Sequence, residues 1–156
     1  MRIEPAWIDY NGHLNMAYYS VLFDRAIDEI WAVVGLGPDY REERGMTTFA
    51  AQSNVSFLRE VNLLDTVRIA LQLIDYDEKR MHMWAEMRHA DENWVAATNE
   101  SMHLHVDLRN RRVSPMPPEV LANFAAMKST HAELARPAGV GAVISMRPQP
   151  RAQMLN

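Results

Sequence analysis

The chain has 156 residues, a net charge of −4 and no cysteine. That length suits one domain with a proper core, and the acidic balance argues against a nucleic-acid binder, whose affinity rests on neutralising phosphates. The missing cysteine removes disulfides, thiolate metal sites and cysteine nucleophiles together, and 48% hydrophobic with 23% charged residues is the composition of a soluble globular protein.

Residues 2–8 read as a short strand that Pro5 confines to an edge or a bend. Residues 9–12 are turn chemistry, and Asn15 suits the N-cap of the helix that follows. From Leu14 to Val34, 15 of 21 residues are apolar and surround most of the helix, which predicts burial on most sides. Its polar stripe is Ser20, Asp24 and Asp28, flanked by Arg25 and Glu29; these charges are too expensive for a membrane span. "GLGP" stops the helix, with Gly35 as a left-handed cap. The N-terminus "MRIEPAWIDY" lacks the regions of a signal peptide, so a cytoplasmic protein is expected.

Four extended segments follow, at 47–61, 66–76, 80–90 and 94–108. The first ends at the charged pair Arg59 and Glu60. The third alternates Met81, Met83, Ala85 and Met87 against His82, Trp84, Glu86 and Arg88. The fourth alternates Met102, Leu104 and Val106 against Ser101, His103 and His105. Period two predicts half-buried strands, and the short turns "DEK" and "DEN" make the last three antiparallel neighbours. This reading sets His103 and His105 on a solvent-facing surface and Glu100 at a strand end. No nearby carboxylate or cysteine obviously completes a metal site with the histidines, although Asp107 continues the face of His103 and His105, so none is predicted. Pro117 and Pro118 open a terminal helix at 119–134, and the last twenty residues should run over the surface. One buried helix wrapped by one curved antiparallel sheet is an α+β architecture. Such a sheet covers only one side of the helix and leaves an open edge, which predicts a homodimer or a dimer of dimers.

"DYNGHLNMAYY" resembles the Asp-x-x-Gly-His-x-Asn-x-x-x-Tyr signature of hotdog-fold acyl-CoA thioesterases of the 4-hydroxybenzoyl-CoA thioesterase class, matched at Asp9, Gly12, His13, Asn15 and Tyr19. "FLREVNLLDTVRI" is similar to that family's second and third strands. The resemblance implies a hotdog domain over residues 1–136, an irregular tail over 137–156, an acyl-CoA substrate and no cofactor. "ESMHLHVD" followed by "PMPPEV" further resembles thioesterases of carnitine breakdown, which implies betainyl-CoA.

Thioester hydrolysis requires a nucleophile or general base and a stabiliser for the oxyanion at the carbonyl. The resemblance gives the first role to Asp9. The second falls to a backbone N–H in the first turn of the helix, at about Met16, where unpaired donors and the helix dipole favour negative charge. Gly12 permits a tight turn and close approach of a ligand. His13 and Asn15 orient the loop and cap the helix. Arg59, with Arg80, Arg88 and "RNRR", could hold coenzyme A phosphates. Trp7, Trp31, Trp84 and Trp94 read as core and interface residues, some of which, with Tyr18 or Tyr19, could box a trimethylammonium group. Met81, Met83 and Met87 read as core filler. Two other readings stay open: a hotdog enoyl-CoA hydratase, although Asp9, Asn11 and His13 fall one residue short of its Asp-x-Asn-x-x-His spacing, and a non-catalytic acyl-CoA-binding protein.

Overall fold

The structure is a computed structural model and describes residues 1–146. A long helix α1 (Met16–Val34) and a short α2 (Pro38–Arg44) precede strands β1 (Met46–Phe57), β2 (Val67–Tyr76), β3 (Arg80–His89), β4 (Val95–Asp107) and β5 (Arg112–Val113). Helix α3 (Pro118–His131) closes the order. The strands form one antiparallel sheet in the order β1-β4-β3-β2, with β5 paired to the end of β4. This is the predicted α+β arrangement, a curved sheet against one central helix.

The helix begins where Asn15 accepts a hydrogen bond from the Ala17 N–H at 3.0 Å, and ends at Gly35, whose φ of 85° only glycine adopts without strain. Tyr19, Leu22, Phe23, Ile27, Trp31 and Val34 of α1 are buried. They meet two continuous apolar clusters, one around Ile3, Trp7, Val67, Met87 and Ala97, the other around Leu73, Met81, Met83, Val120 and Phe124. Met16 and Val33 remain exposed, so α1 is buried along one face and not on most sides. The sheet reaches only that face.

Three further expectations are corrected. Residues 2–8 form no strand: Pro5–Trp7 is a 3-10 turn, and Arg2 and Ile8 make only isolated bridges to Thr66 and Leu14. Proline has no N–H for a ladder and a φ that suits the first position of a turn. Helix α2 lies where no element was expected, although Pro38 and Asp39 at its start and Arg41 and Arg44 in its last turn are helix-end signals. His103 and His105 face inward and are 6% and 0% exposed. The strand register explains this, because Met81 pairs with His103 and Met83 with Ser101, so the histidines share the methionines' inner face. Met102, Leu104 and Val106 lie on the outer, half-buried face.

Buried histidines need partners, and both have them. His105 Nδ1 lies 2.8 Å from the Ser114 carbonyl, which fixes the proton there and leaves Nε2 to accept from the Tyr40 hydroxyl at 2.9 Å. His103 Nε2 lies 2.9 Å from the Ser101 hydroxyl, and its ring stands edge-on to Trp31. Among the described residues no group of His, Asp and Glu could hold a metal ion. No described helix is long and apolar enough to cross a membrane.

After α3 the chain crosses the outer face. Gly139 lies against Trp84, and the Gly141 N–H donates to both carboxylate oxygens of Glu100 at 3.0 and 2.8 Å. Glu100 also meets His82 at 2.7 Å, so it is an outer-face residue beneath the tail. The rest of the predicted tail, 147–156, lies outside the described residues.

Candidate active site

The loop between the 3-10 turn and α1 is held closely by its own backbone. The Asp9 N–H donates to the His13 carbonyl and the Gly12 N–H to the Asp9 carbonyl, both at 3.0 Å. The Asp9 carboxylate accepts from the Asn11 N–H at 2.8 Å, an Asx turn. Gly12 has φ 87°, and nothing lies within 4 Å of where its Cβ would stand. The glycine serves the turn. The loop is anchored to the body through the Leu14 N–H on the Val61 carbonyl at 2.8 Å and the Asn15 N–H on the Trp7 carbonyl at 2.9 Å.

These bonds set Asp9 beside the N-terminus of α1. A cleft of about 330 Å³ opens there, lined by Asp9, His13, Met16 and Tyr19 from the loop and helix, and by residues 57–60 from the end of β1. Asn15 caps the helix behind it. Among the first-turn donors, Ala17 N–H is taken by the Asn15 side chain and Tyr18 N–H by the Asn15 carbonyl. The Met16 N–H has no partner among the described residues, at the positive end of the helix dipole. A carboxylate and an unpaired helix donor thus share one cleft.

The Tyr19 ring is buried and meets Phe57 edge-on at 5.1 Å. Burial pushes its hydroxyl above the ordinary tyrosine range, opposed by a backbone hydrogen bond at Val61 and reinforced by the nearby Glu60 and Asp9. The hydroxyl therefore stays protonated at neutral pH, a donor and not a base. Arg59 lies with its guanidinium 4.2 Å from the centroid of the Trp94 ring, which holds the charge at the cleft mouth.

Strand β1 ends at Phe57, four residues earlier than the expected 61. Leu58 and Arg59 both donate to the single carbonyl of Ala96, so the chain peels away and turns its next side chains to the cleft. Glu60, which the sequence offered only as a strand-end charge, faces His13 with 3.2 Å between Oε2 and Nε2. Alternation breaks where a strand ends, so pattern alone could not assign Phe57, Leu58 or Glu60 to the site. Of the predicted residues, Asp9, His13, Met16, Tyr19 and Arg59 line the cleft, while Gly12 and Asn15 shape the loop and cap.

No tryptophan lines the cleft itself, although Trp94 lies against Arg59 at its mouth. Trp7 stacks on Tyr18 with Arg25 over it, Trp84 is under the tail on the outer face, and Trp94 stacks on His89. Trp31 sits deeper along α1, against His103 and Phe124.

A sequence model of the thioesterase-like superfamily matches residues 3–124. A betainyl-CoA thioesterase of Pseudomonas aeruginosa is 37% identical over 146 residues, covering 94% of this chain and 92% of that one. An L-carnitine dehydrogenase/betainyl-CoA thioesterase of Rhizobium meliloti is 34% identical over 140 residues, 90% of this chain but only 28% of that longer protein. Among solved structures, a Staphylococcus aureus protein in complex with CoA superposes with a TM-score of 0.89 at 24% identity, covering 94% of this chain and 92% of that one. The DHNA-CoA thioesterase of the same species superposes with a TM-score of 0.77 at 14% identity, covering 85% and 91%. The chain belongs to the thioesterase-like superfamily and is a thioester hydrolase of the hotdog fold.

Proposed function

We propose that this thioester hydrolase acts on betainyl-CoA, with Asp9 as the nucleophile or general base and the Met16 N–H as the oxyanion donor. The acyl group rests on the 37% identical Pseudomonas aeruginosa relative, which is matched along nearly its whole length. The mechanism rests on one observation: the Asp9 carboxylate and the unpartnered Met16 N–H open onto the same cleft.

The thioester carbonyl approaches the helix end. Asp9 attacks its carbon, or removes a proton from the water that does, and negative charge grows on the carbonyl oxygen. The Met16 N–H, unpaired at the helix N-terminus, would take up that charge, and a preorganised donor of this kind contributes about 3 to 4 kcal/mol to the transition state. Coenzyme A leaves as the thiolate and takes up a proton; where Asp9 is the nucleophile, water then hydrolyses the acyl–Asp9 anhydride, and by either route the carboxylic acid is released. Tyr19 supplies a protonated hydroxyl beside the reacting group. Arg59 supplies a cation at the mouth for the coenzyme's phosphates.

Asp9→Asn keeps the side chain's size and removes its charge and basicity. It should lower kcat about a hundredfold or more while leaving the fold intact, as followed by thiol release and circular dichroism. A variant that keeps most of its activity would overturn the assignment. Running the assay with an enoyl-CoA alongside would detect hydration, the reaction of the competing hydratase reading.

A further inference from the structure

The segment after α3 crosses the outer face along one row of paired residues. Gln72 of β2 pairs with Trp84 of β3, Trp84 with Glu100 of β4, and Glu100 with Asn54 of β1. The chain touches each member in turn. The Gln72 amide donates to the Ala135 carbonyl at 3.5 Å, and Gly139 lies against the Trp84 ring. The Gly141 N–H donates to the Glu100 carboxylate, and the Asn54 amide donates to the Ala142 carbonyl at 3.1 Å. Contacts on four adjacent strands give the segment a direction. It runs square to the strands, from the β2 edge toward the β1 edge.

Where the row runs out, the composition changes. Residues 137–142 are Pro-Ala-Gly-Val-Gly-Ala, mostly small, and the segment is held through its backbone. Ile144 and Met146 follow, both large, apolar and fully exposed. They come just as the chain reaches β1, whose outer edge has no partner strand among the described residues. Phe49 of β1 pairs with Leu104 and so shares the outer face, where its ring is also largely exposed. Single exposed apolar side chains are ordinary. Here three of them flank one open edge, and two lie on a segment directed across it.

We infer that residues 143–146 form an arm that passes onto the outer face of a second copy paired along β1. A two-fold axis through the middle of this 12-residue strand sets Asn54 beside Phe49 of the partner subunit. Paired strands lie about 4.8 Å apart. Ile144 is two residues beyond Ala142 and reaches about 7 Å further. That is enough to cross to the partner subunit's Phe49. It is too short for the chain's own Phe49, about 15 Å back along β1. Ile144 and Met146 leave water against the partner's ring, and the partner's arm covers this chain in the same way. The occupant is a second copy because one two-fold operation pairs the bare edge and covers both arms. No residue beyond those of this chain is required.

The chain has no cysteine, so an engineered pair reports proximity against a clean background. The double variant Phe49→Cys with Ile144→Cys, oxidised at micromolar concentration, should run as a covalent dimer on a denaturing gel without reductant. Each single variant should run as the 17.9 kDa chain. A second double variant, Ile144→Asp with Met146→Asp, should raise the dimer dissociation constant about tenfold or more in sedimentation, with an unchanged circular dichroism spectrum. A disulfide closed within one chain, no disulfide, or equal linking by a single variant overturns the crossing. So does a dissociation constant that the two aspartates leave unchanged, or a wild type that sediments as a monomer.

Discussion

Asp9 and His103 are both polar residues inside a small fold, and their surroundings give them opposite tasks. Asp9 is half-exposed on a turn whose backbone bonds fix its position, so in the proposed mechanism it would meet substrate without a large desolvation cost. His103 is sealed against Trp31 and Ser101, and burial depresses its pKa to about 4, only partly opposed by Asp24. The folded histidine stays neutral at a pH where an unfolded one, with its usual value near 6.5, already takes a proton. The unfolded state thus binds more protons between those two values, and stability falls as pH drops through that window. Urea midpoints measured from about pH 7 to 4 should therefore decline for the wild type, and less steeply for His103→Gln, which has no proton to refuse. Parallel curves for the two proteins would show that the carboxylates alone cause the decline. The sequence could supply Asp9 because a turn before a capped helix is a local pattern. It could not supply the burial of His103, since alternation separates two faces without saying which is inner.

Elements follow the same division between local and distant causes. Asn15 and Gly35 bound α1 through chemistry within a few residues, and both ends were legible in the sequence. The turns at Asp77 and Asp91 made β2, β3 and β4 antiparallel neighbours, also legibly. The place of β1 beside β4, and the departure of residues 58–60 into the cleft, depend on pairings between residues 40 to 61 apart and left no local mark. The tail over the outer face depends on another distant contact. A Cβ on Gly139 would stand 2.5 Å from Trp84 Cη2, and Trp84 is buried, so the ring has little room to yield. Gly139→Ala should lift the segment, break the Gly141 bonds to Glu100 and expose residues 137–142 to protease. Faster cleavage in that stretch, with little change in the melting temperature of the core, is the expected result. Unchanged cleavage would mean that the segment shifts sideways and keeps its hold.

At the scale of the molecule, the two edges of the sheet are treated differently. The β2 edge is covered at one end by the N-terminus, with the Met1 ammonium on the Val67 carbonyl and the Val67 N–H on the Met1 carbonyl. At its other end α3 covers it, His131 accepting the Leu73 N–H at 2.9 Å and Lys128 donating to the Ile74 carbonyl. Among the described residues the outer edge of β1 has no partner strand over its 12 residues. Phe49, Phe57 and Leu58 are 62%, 48% and 60% exposed at or beside that edge. An open strand with exposed aromatic residues is a template for another strand, and a second copy paired antiparallel about a two-fold axis satisfies it with no further residue. Phe57 and Leu58 at that edge also line the cleft beside Asp9, so a second copy there would border the proposed active site. Association and chemistry are then coupled. Sedimentation at micromolar concentration should give about twice the 17.9 kDa chain mass, or a further doubling if dimers pair. Dilution below the dissociation constant should cost specific activity. A stable monomer with full activity would separate the two properties and leave the bare edge of β1 without a role.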